Sequence, residues 1–211
     1  MTNHKIIALN KVIEGFRAAG SIFGGFGEYA HEPLVQHYGI STTWIDLVDN
    51  IWVALWFACH RALTAGKNNE YLHFERRIPN ASEKYVYVLL VASDITKRNR
   101  VKPGYFFGQN TELVDLRMAA PSVFLRPHSQ HGLLFRKKGS PGNGRPIDYA
   151  DQIRGVIRVD LDKALNWIGD GKMVNTHSLF PPPYYDNGYQ ILLSCPVDGK
   201  LGVGQIAHVG A

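Results

Sequence analysis

Apolar positions along the chain change their period several times, and each change marks an element. Ile6, Ile7, Leu9, Val12, Ile13 and Phe16 recur at helical spacing with Gly20 where a helix stops, which predicts a helix over 5–19. A second helix is predicted over 50–64, opened by Asp49 or Asn50 and closed by Gly66. Its residues Ile51 to Cys59 are apolar nearly all round, the pattern of a helix at the centre of a domain. Tyr85 to Ala92 is β-branched and aromatic and reads as a buried strand, with shorter strands at 121–126 and 153–159. Asp160 to Ile168 reads as a helix closed by Gly169. The expected interior holds Trp52, Leu55, Trp56, Phe57, Val88, Leu90 and Val156.

Between these elements lie breaks. Gly20 to Gly27 carries four glycines and reads as a loop whose two phenylalanines fold back onto an apolar surface. Lys137 to Pro146 reads as a mobile exposed loop, and Pro181-Pro182-Pro183 interrupts the chain again. With no repeat and no linker, the expectation is one α+β domain over 1–211, a small mixed or antiparallel sheet core with packed helices.

The 211 residues are 45% hydrophobic and 19% charged, which excludes wholesale disorder. The net charge of +5 permits an anionic partner without demanding one. Cys59 and Cys195 lie far apart and offer no disulfide framework, so a reducing cytoplasm is the expected compartment. The run Ile51 to Cys59 is too short to span a bilayer, and Met1 to Lys5 lacks a signal peptide's apolar stretch, so no membrane association is expected.

Most motif-like stretches fail on context. Gly24-Gly25-Phe26-Gly27 has no Lys-Ser or Lys-Thr behind it, so it is no phosphate loop. Gly202 to Ala207 mimics a dinucleotide fingerprint without the following helix or the acidic residue about 20 positions on. His128 and His131 stand in a segment that reads as strand and turn, with no carboxylate or cysteine completing a metal set, so no metal is expected. Ser41, Ser129 and Ser194 lack a nucleophile-elbow context. Two basic runs, Lys97-Arg98 with Arg100 and Lys102, and Arg136-Lys137-Lys138, read either as a solvated face or as phosphate contacts to nucleic acid.

The most informative stretch is Gln36-His37-Tyr38-Gly39-Ile40-Ser41-Thr42-Thr43-Trp44-Ile45-Asp46. It packs amide, imidazole, phenol and hydroxyls directly ahead of the most apolar helix. Polar groups beside a core must be paired or face a cavity. They form either a cap network for the 50–64 helix, with Asp46 and Asp49 as acceptors, or the wall of a cleft.

This stretch, followed by Val53-Ala54-Leu55-Trp56-Phe57-Ala58, resembles the FRG domain family, whose marker is Gln-His-Tyr-Gly-x-Pro-Thr-Arg-Leu-Leu-Asp-Trp-Thr and then Val-Ala-Leu-Tyr-Phe-Ala. Two later segments agree in order: Arg126 to Phe135, with Gln130 and Gly132, and Ser178-Leu179-Phe180-Pro181 with Asp186 and Gly188. The resemblance spans about 30–190. Ser41 stands where the family has Pro, Thr43 where it has Arg, and Leu47-Val48 where it has Trp-Thr. The Phe-Arg-Gly motif has only Phe16-Arg17-Ala18 as a candidate, so either the motif is lost or the chain starts late.

The resemblance implies an ADP-ribosyltransferase-like fold, a bacterial or phage-conflict setting, and cleavage of NAD at the nicotinamide ribose with transfer to protein or nucleic acid. Developing oxocarbenium charge would then need stabilisation. Carried onto this sequence, Thr42, Gln130 and His37 take the catalytic roles. Gln36, Tyr38, Gly39, Ser41, Thr43, Arg126, Gly132 and Phe135 take substrate-binding roles. Gln130 can hydrogen-bond a ribose but carries no negative charge. The alternative expectation is a catalytically silent module that binds nucleotide or nucleic acid.

Overall fold

The computed structural model describes residues 3–19, 21–67, 69–98, 101–139, 147–195 and 197–210. Its helices are α1 (Asn3–Ala19), α2 (His31–His37), α3 (Ile51–Cys59), α4 (Leu116–Ala119), α5 (Arg126–Ser129), α6 (Leu161–Trp167), α7 (Thr176–Leu179) and α8 (Asn187–Ser194). Its strands are β1 (Ile45–Val48), β2 (His60–Ala65), β3 (Tyr71–Arg76), β4 (Tyr85–Val91), β5 (Lys97–Arg98), β6 (Tyr105–Phe107), β7 (Thr111–Asp115), β8 (Gly132–Lys137), β9 (Ile153–Asp160) and β10 (His208–Val209). The architecture is mixed α+β, with three small sheets among the described residues. One runs β1-β8-β7-β6-β5, a second β10-β3-β2, and the third is the β4-β9 ribbon. All pairings are antiparallel except β10 on β3.

The apolar residues gather into two clusters. One joins α1, α2, Trp44, Val114, Leu116, Phe124, Leu134 and α8. The other joins α3, Val86, α6, Leu179 and Phe180. The glycine-rich segment after α1 forms a 3-10 turn, Ser21–Gly25, and Phe23 does fold back: it stacks on Phe16 with centroids 5.6 Å apart and meets Phe26 and Phe124.

Several expectations need correction. The helix expected over 50–64 ends at Cys59, and His60–Ala65 is β2, registered from His60↔Arg76 to Ala65↔Tyr71. Local sequence there tolerates helix, but ladder pairing with β3 overrides it. Gly66, at φ +90°, serves the turn out of β2 rather than a helix end. Asn50 caps α3, its Oδ1 accepting from the N–H of Trp52 at 2.9 Å and Val53 at 3.4 Å.

No strand forms over 121–126. The chain turns there and enters α5, which makes a short helix of the segment carrying His128. Of the expected interior, Leu55 and Trp56 are buried and Phe57 and Val88 half-buried, while Trp52, Leu90 and Val156 are exposed. β4 buries only part of itself: Val86 sits in the core while Tyr87, Leu89 and Leu90 stay exposed, because a two-stranded ribbon leaves much of its surface uncovered. The helix near the N-terminus, the 85–92 and 153–159 strands and the 160–168 helix form as the pattern predicts, within a residue or two. Residues 140–146 of the expected mobile loop, together with Arg100, lie outside the described residues.

Candidate functional site

Between the two apolar clusters opens a cleft of about 780 Å³. Gln36, His37, Tyr38 and Gly39 reach it from the end of α2, Asp46 from β1, Asp49 and Asn50 from the β1–α3 junction, and Arg126 and Gln130 from α5 and its C-cap. The 36–39 and 126–130 stretches, about ninety positions apart in sequence, thus meet at one hollow.

The polar groups of the 36–46 stretch pair with one another. The Gln36 amide oxygen accepts from Thr42 N at 3.0 Å and Thr42 Oγ1 at 2.7 Å, and its Nε2 donates to Asp46 Oδ2 at 3.0 Å. His37 Nδ1 lies 3.0 Å from Asp46 Oδ1. Partial desolvation works against the Asp46 charge, but the His37 hydrogen bond and charge and the Gln36 amide outweigh it and hold its carboxyl below the ordinary carboxylate range. The His37 side chain is 4% exposed, and its Nε2 is buried without a partner among the described residues. The stretch is a cleft wall whose polar groups pair with one another, and the cap network expected for α3 does not form from it. Its acceptors serve α2 and β1, not the α3 N-terminus.

Deeper in, Tyr38 is fully buried and donates its hydroxyl to Asp186 Oδ2 at 2.6 Å. Burial first, and then the Asp186 charge, push that phenol well above its ordinary pKa. Asp186 also caps α8 by accepting from Tyr189 N at 2.8 Å, and it accepts from Arg126 N at 3.1 Å. The Arg126 guanidinium lies 4.3 Å from the Tyr38 ring centroid and 4.5 Å from that of Tyr189, with Phe180 at 5.2 Å. Arg126 is 2% exposed, yet its Nε and Nη2 have no hydrogen-bond partner among the described residues, and Nη1 makes one long contact of 3.4 Å to the His37 carbonyl. A buried cation left this way is costly unless an anion joins it. Gln130 donates from Nε2 to the Leu179 carbonyl at 2.8 Å.

Of the remaining expected site residues, Thr42, Ser41, Thr43, Gly132 and Phe135 do not line the cleft. Thr42 is spent on Gln36 and on Trp44 N, from which its hydroxyl accepts at 3.1 Å. Ser41 is exposed, its N–H donating to the Val203 carbonyl at 2.7 Å. Thr43 donates from N and Oγ1 to Glu32 Oε1, at 3.1 and 2.8 Å, and borders a separate cleft of about 310 Å³ with Glu112 and Arg136. Gly132 backs the His37 ring, and Phe135 is buried against Tyr149. Gly39, at φ +114°, lets the C-terminal segment cross it: a Cβ there would stand 2.8 Å from the Gln205 carbonyl oxygen. Of the basic run, Lys97 and Arg98 form β5, and Lys102 Nζ sits 5.5 and 5.4 Å from the Tyr29 and Tyr105 ring centroids.

Reading the sequence missed several participants. Asp46 reads in sequence as an acceptor for the helix that follows, not as the partner of Gln36 and His37. Asp186 shows no partner in sequence, although an Asp heading Asn187-Gly188-Tyr189 is a cap signal. At the rim, Arg117 donates to Asp49 Oδ2 at 2.7 Å and Asp115 Oδ2 at 2.8 Å, and His131 Nδ1 lies 3.1 Å from Asp49 Oδ1. Though desolvation opposes it, the bonds and charges of Arg117 and His131 hold the Asp49 carboxyl low. Among the described residues no group of three or more His, Cys, Asp or Glu could hold a metal ion, and no helix is long and apolar enough to cross a membrane.

No family profile, no curated protein and no solved structure matches this chain.

Proposed function

We propose that the chain is an ADP-ribosyltransferase of the FRG type that takes NAD in the cleft between Gln36–Gly39 and Arg126–Gln130. The meeting of those two stretches at one hollow carries the reading. Arg126 is a buried cation whose Nε and Nη2 have no partner among the described residues, and a pyrophosphate oxygen pair that reached this edge, closed to solvent here, would satisfy it. Phe180 lines the cleft beside it. Asp46 is anionic, and its side chain is 46% exposed at the cleft, so it can supply the negative charge that Gln130 lacks. As the glycosidic bond to nicotinamide breaks, positive charge grows on the ribose, and a fixed carboxylate stabilises it. An acceptor nucleophile on protein or nucleic acid then bonds to the ribose carbon, and nicotinamide leaves with the bonding pair. The proton lost by the acceptor passes to solvent or to the Asp46–His37 pair. Thr42 acts through Gln36 in this scheme, as a positioning residue. A bacterial or phage-conflict role in the cytoplasm accords with such chemistry.

Incubation with NAD labelled in the adenylate should release nicotinamide and label protein or RNA, and Asp46→Asn or Gln130→Ala should reduce both at least about 100-fold with folding intact. A folded wild-type chain that neither releases nicotinamide nor labels any acceptor would remove the enzyme reading. One observation favours a second reading, a silent nucleotide-binding module: the Gln130 amide is already tied to the Leu179 carbonyl. Saturable NAD binding without turnover is its signature.

A further inference from the structure

The cleft has one buried cation at its inner end and walls of another kind. Val48, Ile51 and Ala54 line it from the β1–α3 side, Leu72 from β3, and Leu89 and Leu90 from β4. Ile51, Leu89 and Leu90 remain 46%, 53% and 47% exposed, although large and apolar. Gln36, His37, Asp46, Asp49, Asn50 and Gln130 line the rest of the cleft, so the apolar stretch is one wall of it, and that wall matches a chain of methylenes. Arg126 supplies the head-group site. Tyr38 and Tyr189 cover it at 4.3 and 4.5 Å, and the two nitrogens without partners, Nε and Nη2, form one edge of the guanidinium. Both nitrogens are closed to solvent in this conformation, so a carboxylate or phosphate meets that edge, which matches two oxygens side by side, only as the covering rings shift.

We infer that the cleft binds a single-chain aliphatic anion, with its carboxylate or phosphate head on the Nε–Nη2 edge of Arg126 and its chain along the Ile51, Leu89 and Leu90 wall. The inference goes beyond the transferase reading and does not need it. Either ligand places an oxyanion on Arg126, so an aliphatic anion and NAD exclude one another. If both bind, the aliphatic anion is a competitive inhibitor of turnover.

The test is calorimetric titration of the full chain with saturated carboxylic acids of about eight to fourteen carbons, their methyl esters and the matching alkyl phosphates, kept below micelle formation. Affinity should rise with length, by at most about fourfold per methylene buried. Methyl esters should bind at least about tenfold weaker than acids, because the charge-assisted pair is lost. Acids outrunning alkyl phosphates would assign a carboxylate head, and the reverse order a phosphate head. Arg126→Met should erase the difference between acid and ester while keeping the dependence on length. Ala54→Phe, which fills the open cleft and leaves Arg126 alone, should flatten the dependence on length. It decides the matter if the Arg126 variant fails to fold.

Affinity independent of length, esters binding as well as acids, or no binding by any member of the series would overturn the inference. Binding of the series without NAD turnover leaves this inference standing and removes the transferase reading. NAD turnover with no binding of the series does the opposite.

Discussion

Gly132 packs tightly against the His37 imidazole: a Cβ on it would stand 2.7 Å from Cε1 and 2.9 Å from Nε2. The Val48↔Gly132 pairing holds this backbone in the sheet, so the ring has to give way rather than the strand. Gly132→Ala should therefore push His37 off Asp46 and cost about 1–3 kcal/mol of stability, as overpacking does. Urea denaturation of the pair measures it. An unchanged midpoint would mean that the ring is free to slide.

Asp186 is the buried hub behind the cleft. It is 0% exposed and accepts from Tyr38, Tyr189 and Arg126. Asp186→Ala leaves three donors in the interior without an acceptor, at about 1–3 kcal/mol each, although losses within one network do not simply add. Tyr38→Phe removes one bond to a charged acceptor, about 1.5–3 kcal/mol. The alanine variant should be clearly the less stable of the two by denaturant titration, and equal losses would show that the hub is not shared.

The Asp46–His37 pair sets a pH dependence with a definite sign. Desolvation raises the Asp46 carboxyl, but the bonds to His37 and Gln36 win and hold it below its ordinary value. A carboxyl lowered by folding stabilises the fold above its unfolded pKa, about 3.9, and that contribution fades as pH falls through the folded value. The side chain is 46% exposed, so screening keeps the contribution to about 1 kcal/mol or less. Asp46→Asn should be less stable than wild type near neutrality and converge on it in acid. A gap that stays constant down to a pH of about 3 would contradict this.

How far the sequence discloses this arrangement depends on how local each cause is. Leu161–Trp167 is legible because Asp160 caps it and its apolar period is complete. The link from Gln36 and His37 to Asp46 is nearly legible, since all three lie within ten positions of one another. The end of α3 is not, because His60–Ala65 is helix-compatible and only its pairing with Tyr71–Arg76 makes it a strand. Nor is the Tyr38–Asp186 bond, which spans 148 positions and depends on how α8 docks. Trp52 and Val156 read as core from composition alone, yet both lie exposed, because hydrophobicity names candidates for burial and not the layer that would cover them.

The two cysteines should differ in reactivity. Cys59 is buried at the end of α3, and burial pushes its thiol up to about 11 despite the nearby Arg77 and Arg76. At pH 8 its thiolate fraction is then about one in a thousand, and access is blocked as well. Cys195 is only half-buried. Iodoacetamide at that pH should label Cys195 first in the folded chain, with Cys59 following only in denaturant, as read by peptide mass spectrometry. Equal labelling in the native state would place Cys59 in a segment that opens readily.

Thr42 distinguishes a positioning role from direct contact with substrate. Its hydroxyl donates to Gln36 Oε1 at 2.7 Å and accepts from Trp44 N at 3.1 Å, and it is not among the residues that line the cleft. Thr42→Val keeps the shape but removes both bonds. The Gln36 amide oxygen then retains only the Thr42 backbone donor, and the Trp44 N–H loses its acceptor. Stability should fall by about 1–2 kcal/mol. NAD turnover should fall with it, because a loosened Gln36 no longer braces Asp46. Thr42→Ser, which restores the hydroxyl, should recover both together. If the hydroxyl instead touched the ribose, the valine variant would lose turnover at an unchanged denaturation midpoint, and that split would move Thr42 from the scaffold into the reacting site.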